Sequence, residues 1–204
     1  MNRRHFIAAL AALTLAACSS DPAPPDMFYR LGTPGSVPAI AGGPIKGTIE
    51  VPPFRAEGVV NERAILYREG PRALQQYSYH SWSEPPAAMV QQAFLAGLRS
   101  AQAFTLVGAP DMRLDRDFEL TGNIRQLEHV LAGGAGKATI EIDIVLRRVR
   151  DNQVLIAKTY RGEEPASSND IDATVGAFSK VMDKIVADFV TDLGPLPKTA
   201  PAPR

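Results

Sequence analysis

Ile140-Glu141-Ile142-Asp143-Ile144-Val145-Leu146-Arg147 alternates apolar and charged side chains. Successive side chains of a strand point to opposite faces, so Ile140, Ile142, Ile144 and Leu146 share one side and Glu141, Asp143 and Arg147 the other. A strand with one dry and one wet side fits an antiparallel sheet covered on a single face. Upstream, Phe118, Leu120 and Ile124 repeat the apolar side against Glu119, Thr121, Asn123 and Arg125. Downstream, Asp151-Asn152 tolerates the positive φ of a tight turn and leads into a third run, Val154 to Tyr160. The three runs predict an antiparallel meander.

On either side of the meander the period changes to that of a helix. Val90, Phe94 and Leu98 recur every four residues, with Met89, Ala93, Gly97 and Ala101 on the adjacent row. The small residues of that row predict a close approach to a sheet. Ser83 is placed to cap this helix, and Pro85-Pro86 fall in its first turn, where a missing N–H costs little. A second helix is predicted over Ile171 to Leu193, with Val175, Phe178, Met182, Ile185, Val186, Phe189 and Leu193 along one stripe and Asp170 or Asp172 as N-cap. Shorter strands are expected at Phe28 to Leu31, Ile45 to Phe54, Ala64 to Arg68 and Ala73 to Trp82. The expected fold is a single α+β domain, an antiparallel sheet with two main helices packed on one face.

The N-terminus has a different character. Arg3 and Arg4 precede an apolar stretch, Phe6 to Leu15, which at about ten residues is half of the roughly 20 needed to span a bilayer. It ends in Leu15-Ala16-Ala17-Cys18, which resembles the bacterial lipobox, where the cysteine thiol is acylated and the chain is cut before it. Cys18 is the expected lipid attachment site and first mature residue. As the single cysteine of the chain, it leaves neither a disulfide nor a thiol nucleophile to the mature domain. Arg3-Arg4-His5-Phe6-Ile7 also fits a twin-arginine signal, so the export route stays open. Ser19, where an aspartate would favour inner-membrane retention, favours the outer membrane, with the domain on the periplasmic face.

The expected organisation is therefore a signal peptide over residues 1–17, a Pro-rich tether over 18–26, one domain over 27–193 and a Pro/Ala-rich tail over 194–204. The whole chain of 204 residues carries 22 basic and 22 acidic side chains. Loss of Arg3 and Arg4 with the signal leaves the mature part near neutral, without the basic excess of a nucleic-acid-binding protein.

Chemistry-bearing residues are sparse. His80 and His129 of the mature chain share no spacing with Cys, Asp or Glu that would hold a metal, and no cofactor is implied. No Gly-x-Ser-x-Gly elbow or helical Ser-x-x-Lys is present. Gly133-Gly134-Ala135-Gly136-Lys137 lacks the remaining residues of a phosphate-binding loop, with Leu131 and Ala138 in their places, and joins two strands instead of opening a helix. Asp111, Asp115, Arg116 and Asp117 read as solvated loop charge, as do Glu163 and Glu164 after the last strand. An enzyme is not expected.

One stretch is more specific. Ile65-Leu66-Tyr67-Arg68 precedes Tyr77-Ser78-Tyr79-His80-Ser81-Trp82-Ser83-Glu84-Pro85-Pro86, then the amphipathic helix, then Phe104-Thr105-Leu106-Val107. With Phe28-Tyr29-Arg30-Leu31 near the tether, this resembles the ABC-type transport auxiliary lipoproteins of the paraquat-inducible lipoprotein C type. Ser81 departs from the bulky or basic residue that the family commonly carries before the tryptophan. The resemblance implies a non-enzymatic, lipid-anchored component that docks or stabilises a periplasmic MCE-domain protein, working with an ABC permease and ATPase in intermembrane lipid transport. By analogy with MCE rings it also implies a homo-oligomer. A lipoprotein activator or assembly factor for a cell-wall synthase or for lipopolysaccharide export is the rival reading. Trp82, with Tyr77, Tyr79 and Pro85, is the candidate contact for a partner or lipid, because an indole combines an apolar body with a polar tip. Its alternative is a core aromatic pinning the strand-to-helix corner. Tyr77 and Tyr79 are expected on one face of their strand.

Overall fold

The structure is a computed structural model that describes residues 22–198 apart from 33, 36 and 132–135. In chain order the elements are β1 (Met27–Tyr29), β2 (Ile45–Glu50), β3 (Arg55–Ala56), β4 (Ala64–Arg68), β5 (Gln75–Trp82), α1 (Pro86–Ser100), β6 (Phe104–Gly108), β7 (Phe118–Val130), β8 (Lys137–Arg148), β9 (Gln153–Pro165) and α2 (Ile171–Leu193). Cys18 and most of the glycine-rich loop between β7 and β8 lie outside the described residues.

β7 organises the sheet. One of its edges pairs with β8 from Phe118↔Arg148 to Val130↔Lys137, and β8 pairs in turn with β9, all antiparallel. The other edge takes three strands in succession, all parallel: β2 at Phe118 and Glu119, β3 at Asn123 and Ile124, β4 at Glu128 to Val130. β5 runs antiparallel to β4, while β1 is parallel to β5 and β6 parallel to β2. The sheet is thus mixed, a correction to the antiparallel sheet expected from sequence. Short turns impose antiparallel pairing within β7-β8-β9, whereas partners joined through long connections, such as the one containing α1, can run either way.

The meander itself follows its alternation. Ile140, Ile142, Ile144 and Leu146 are fully buried, and Asn152 adopts φ 58° in the β8–β9 turn. A bulge between Ile124 and Gln126 shifts the phase of β7, so that Leu127 and His129 continue its buried side. On the wet face, Arg125 pairs with Asp143 at 2.6 Å, Arg161 with Glu141 at 3.4 Å, Arg147 with Glu119, and Lys137 with Glu163. Exposed pairs of this kind contribute about 0–1 kcal/mol each, so they balance charge more than they hold the fold. β9 runs on to Pro165, which places Glu163 and Glu164 within the strand and not after it; Glu164 meets Lys180 at 3.1 Å. The charges before β7 are also partly structural: Asp117 accepts the Thr48 N–H at 2.9 Å, and Arg116 pairs with Glu50 and Glu119.

Both helices cover the dry face. α2 lies on β8 and β9, and α1 packs against α2 and β6. Gly162 of β9 lets α2 come close, since a Cβ there would lie 2.7 Å from Val181 Cγ1. Within the small row of α1, Gly97 faces Val186 of α2, so the close approach at this position is to the other helix. Phe94 stacks on Phe54 at 5.0 Å and meets Phe189 edge-on at 5.6 Å, joining α1, α2 and the β2–β3 region in one aromatic core. Asp170 caps α2, accepting the Ala173 N–H at 2.6 Å. Ser83 does not cap α1. Pro85 holds that position, its carbonyl accepting from Ala88 and Met89, while the Ser83 N–H donates to the Tyr29 carbonyl at 2.7 Å.

Candidate functional site

The Tyr77–Pro86 stretch forms β5 and the corner into α1, and its geometry departs from simple alternation. Ala64 pairs with Ser81 and Leu66 with Gln76, so four residues, Tyr77 to His80, bulge against Ile65 alone. Tyr79 sits in the bulge at φ 62°, a conformation that costs a non-glycine residue energy and persists where surrounding structure holds it. The bulge separates the two tyrosines: Tyr77 is half-buried, whereas Tyr79 is 44% exposed. The expected shared face of Tyr77 and Tyr79 is therefore corrected.

On the inner side the bulge brings Tyr77 and His80 edge-to-face, with centroids 6.5 Å apart. Each joins a residue of a distant strand. The Tyr77 hydroxyl lies 2.8 Å from His129 Nδ1, and the Tyr29 hydroxyl 2.9 Å from His80 Nδ1. Tyr67 stacks obliquely on Tyr77 at 4.4 Å and pairs in register with His129. Burial, then Tyr67 and Glu69, raises the Tyr77 hydroxyl above its ordinary range. Burial, then Asp172 and Asp170 at the start of α2, does the same for Tyr29. Both phenols stay neutral at physiological pH and serve as hydrogen-bonding groups closing the end of the core.

Trp82 is 1% exposed and meets Phe178 of α2 edge-on at 5.6 Å. Its backbone N–H donates to the Arg63 carbonyl at 2.6 Å, and its carbonyl accepts from Arg63 Nε at 2.9 Å. The structure thus places the indole in the core, at the strand-to-helix corner, where it offers no surface to a partner. Of the four residues proposed as contacts, Tyr79 and Pro85 are exposed, Tyr77 is partly so, and Trp82 is enclosed.

Met27 and Phe28 stand outside the four candidate contacts. They are 47% and 61% exposed on β1, an edge strand whose residues pair with His80 and Ser81. The Arg63 guanidinium lies 5.3 Å over the Phe28 ring. Met27 and Phe28 follow one another on β1 and so face opposite sides of the sheet edge. The signal available in sequence was the Phe-Tyr alternation, in which Tyr29 turns inward and Phe28 must then turn out.

Elsewhere, clefts of ≈ 500 and ≈ 560 Å³ flank Arg99, which donates to the Val107 carbonyl at 3.1 Å. Among the described residues no group of three or more His, Cys, Asp or Glu side chains converges to hold a metal ion. No described helix is long and apolar enough to cross a membrane.

These features define a two-helix, mixed-sheet α+β domain. Residues 29–190 match the model of the ABC-type transport auxiliary lipoprotein component family, and the chain belongs to that family. As a lipoprotein family, it is membrane-anchored in the cell envelope. Among solved structures, a Xanthomonas campestris protein superposes with TM-score 0.71 at 22% identity, covering 80% of this chain and 92% of that one. An uncharacterised protein gives TM-score 0.67 at 13% identity, with coverage of 82% and 97%. A PelC dodecamer from Paraburkholderia phytofirmans gives TM-score 0.48 at 17% identity, covering 78% and 95%. At their identities, the similarity to the first two is one of fold. No curated protein matches the chain.

Proposed function

We propose that the protein is a non-enzymatic adaptor, held through lipid on Cys18 at the periplasmic face of the outer membrane, that docks or stabilises an MCE-domain protein served by an ABC permease and ATPase. The transported species on this reading is a lipid moving between membranes. The observation that carries the proposal is the family match over residues 29–190, whose members are auxiliary components of ABC-type transport. His80 and His129, each hydrogen-bonded to a tyrosine, agree with a role in binding rather than catalysis.

The test is in-cell crosslinking of the full-length lipoprotein, solubilisation in detergent and identification of captured proteins by mass spectrometry. An MCE-domain protein is the expected capture. Exposed-face substitutions at Glu141, Asp143 and Arg147 are scored alongside for capture and for sensitivity of the envelope to detergent. Complementation of the envelope defect with no MCE protein captured overturns the transport reading and leaves the activator of another envelope machine in its place.

A further inference from the structure

We infer that the cleft between the end of α1, β6 and the start of β2 binds an anionic amphiphile, with Lys46 and Arg99 holding its phosphate group and Leu106 meeting its apolar body. This goes beyond the docking role, which asks for no ligand on the chain itself.

The cleft has a volume of ≈ 560 Å³, within the roughly 300–1,000 Å³ of small-molecule sites. Lys46 and Arg99 both line it, and no acidic residue does. The domain balances its charge differently elsewhere. Most of its described lysines and arginines pair with a carboxylate, whereas Lys46 and Arg99 pair with none among the described residues. Two cations brought into one cleft repel each other, and an anion between them turns that cost into an attraction. The neighbouring cleft of ≈ 500 Å³ has Asp111 as well as Arg99 on its wall, so its charge is balanced.

Arg99 is held in place from the protein side. Its Nε and one terminal nitrogen donate to the Val107 carbonyl at 3.3 and 3.1 Å. A guanidinium carries five N–H donors, and the rest of those on Arg99 meet no acceptor among the described residues. The Thr105 hydroxyl accepts the Gly47 N–H at 3.4 Å and keeps its own proton to donate. Gln102 adds an amide to the same wall. Two cations, a hydroxyl and an amide match an oxyanion with several acceptor oxygens, which is what a phosphate group offers. The wall is not wholly polar. Leu106 is 40% exposed on β6, an edge strand that pairs only with β2, and Pro44 lines the cleft with it. An inorganic ion gains nothing from that apolar surface, whereas a phosphate ester with a hydrocarbon body buries it.

The test is native mass spectrometry of the lipidated full-length chain in a non-ionic detergent, titrated with phosphatidylglycerol or with phosphatidylcholine of the same acyl chains. Phosphatidylglycerol is expected to give several-fold more adduct than phosphatidylcholine, and an equimolar amount of inorganic phosphate to leave that adduct in place. Lys46→Gln is expected to lower the adduct several-fold. Arg72→Gln, at an exposed arginine outside the cleft, is expected to leave it unchanged. Arg99→Gln should act like Lys46→Gln, but Arg99 also braces Val107, so each variant is read beside its melting midpoint. Where Arg99→Gln unfolds, the exposed Lys46 decides the matter. Equal adducts with the two lipids, or equal losses in Lys46→Gln and Arg72→Gln, overturn the site. Displacement by equimolar inorganic phosphate overturns the amphiphile and leaves a simple anion site. None of these readouts involves an MCE protein, so the adaptor reading stands or falls separately.

Discussion

Val186 occupies the space that a side chain at Gly97 would need: a Cβ at that position would lie 2.2 Å from Val186 Cγ1. The two residues set how closely α1 and α2 approach. Elsewhere in a helix, alanine in place of glycine gains about 1 kcal/mol. Here the neighbour is itself fully buried and has nowhere to yield, and overpacking costs about 1–3 kcal/mol. Gly97→Ala is expected to lower the urea midpoint, and Val186→Ala in the same chain to recover part of the loss.

Phe94 and Phe189 tie the two helices together and are both fully buried. Truncation of either to alanine is expected to cost about 3–5 kcal/mol, a large part of the roughly 5–15 kcal/mol that holds a domain folded. The check is the melting midpoint of each variant. An unchanged midpoint would mean that the helices do not meet through these rings.

Asp192 and Tyr160 give the domain a pH signature at both ends. Asp192 accepts from Lys158 Nζ at 2.7 Å and from the Tyr160 hydroxyl at 2.6 Å. Those bonds, the one from Lys158 first, hold its carboxyl below the ordinary 3.8. A depressed carboxylate stabilises the fold above its unfolded value, and that contribution disappears as the pH falls through the folded value. Burial, then Asp192, raises the Tyr160 hydroxyl above its ordinary 10.0. Its contribution is complete below 10.0 and is lost as the pH rises toward the folded value. Urea midpoints measured across pH should fall less steeply on the acid side in Asp192→Asn than in the parent chain. On the alkaline side the same holds for Tyr160→Phe.

Cys18→Ala is expected to abolish incorporation of clickable palmitate and to release the protein from membranes on fractionation. Labelling that survives this change would place the lipid elsewhere. The folded domain should keep its melting midpoint, because the described strands and helices begin at Met27.

Local patterns in the sequence foretold the elements whose partners are close along the chain. The β7-β8-β9 meander, the stripes of both helices and the Asp170 cap all follow from alternation, periodicity and capping chemistry acting over a few residues. The parallel pairings of β1, β2, β3, β4 and β6 left no such trace, since alternation fixes which face a residue takes and says nothing of a strand's direction. The bulge at Tyr77 to His80 was hidden for a related reason: nothing in the residue types of Tyr79 announces a positive φ. The Tyr29–His80 and Tyr77–His129 pairs join residues 51 and 52 positions apart, so only the assembled sheet reveals them. Trp82 was legible as a corner residue, and its enclosure by Phe178 follows once α2 lies over the sheet.

The three parallel strands on one edge of β7 also impose an order in time. A chain that emerges N-terminus first presents β2 and β3 long before the strands that complete their ladders, β6 and β7, exist. Loop closure must then precede the contacts that reward it, and unpaired strand edges wait in the open meanwhile. The β4–β5 pair can form locally and take β1 on its β5 edge, but the β4 edge that β7 will fill stays open. A chain cut before Phe118 holds β1-β5-β4 and β2-β6 as separate pieces with no strand to join them, so this half of the molecule depends on β7 being made as well.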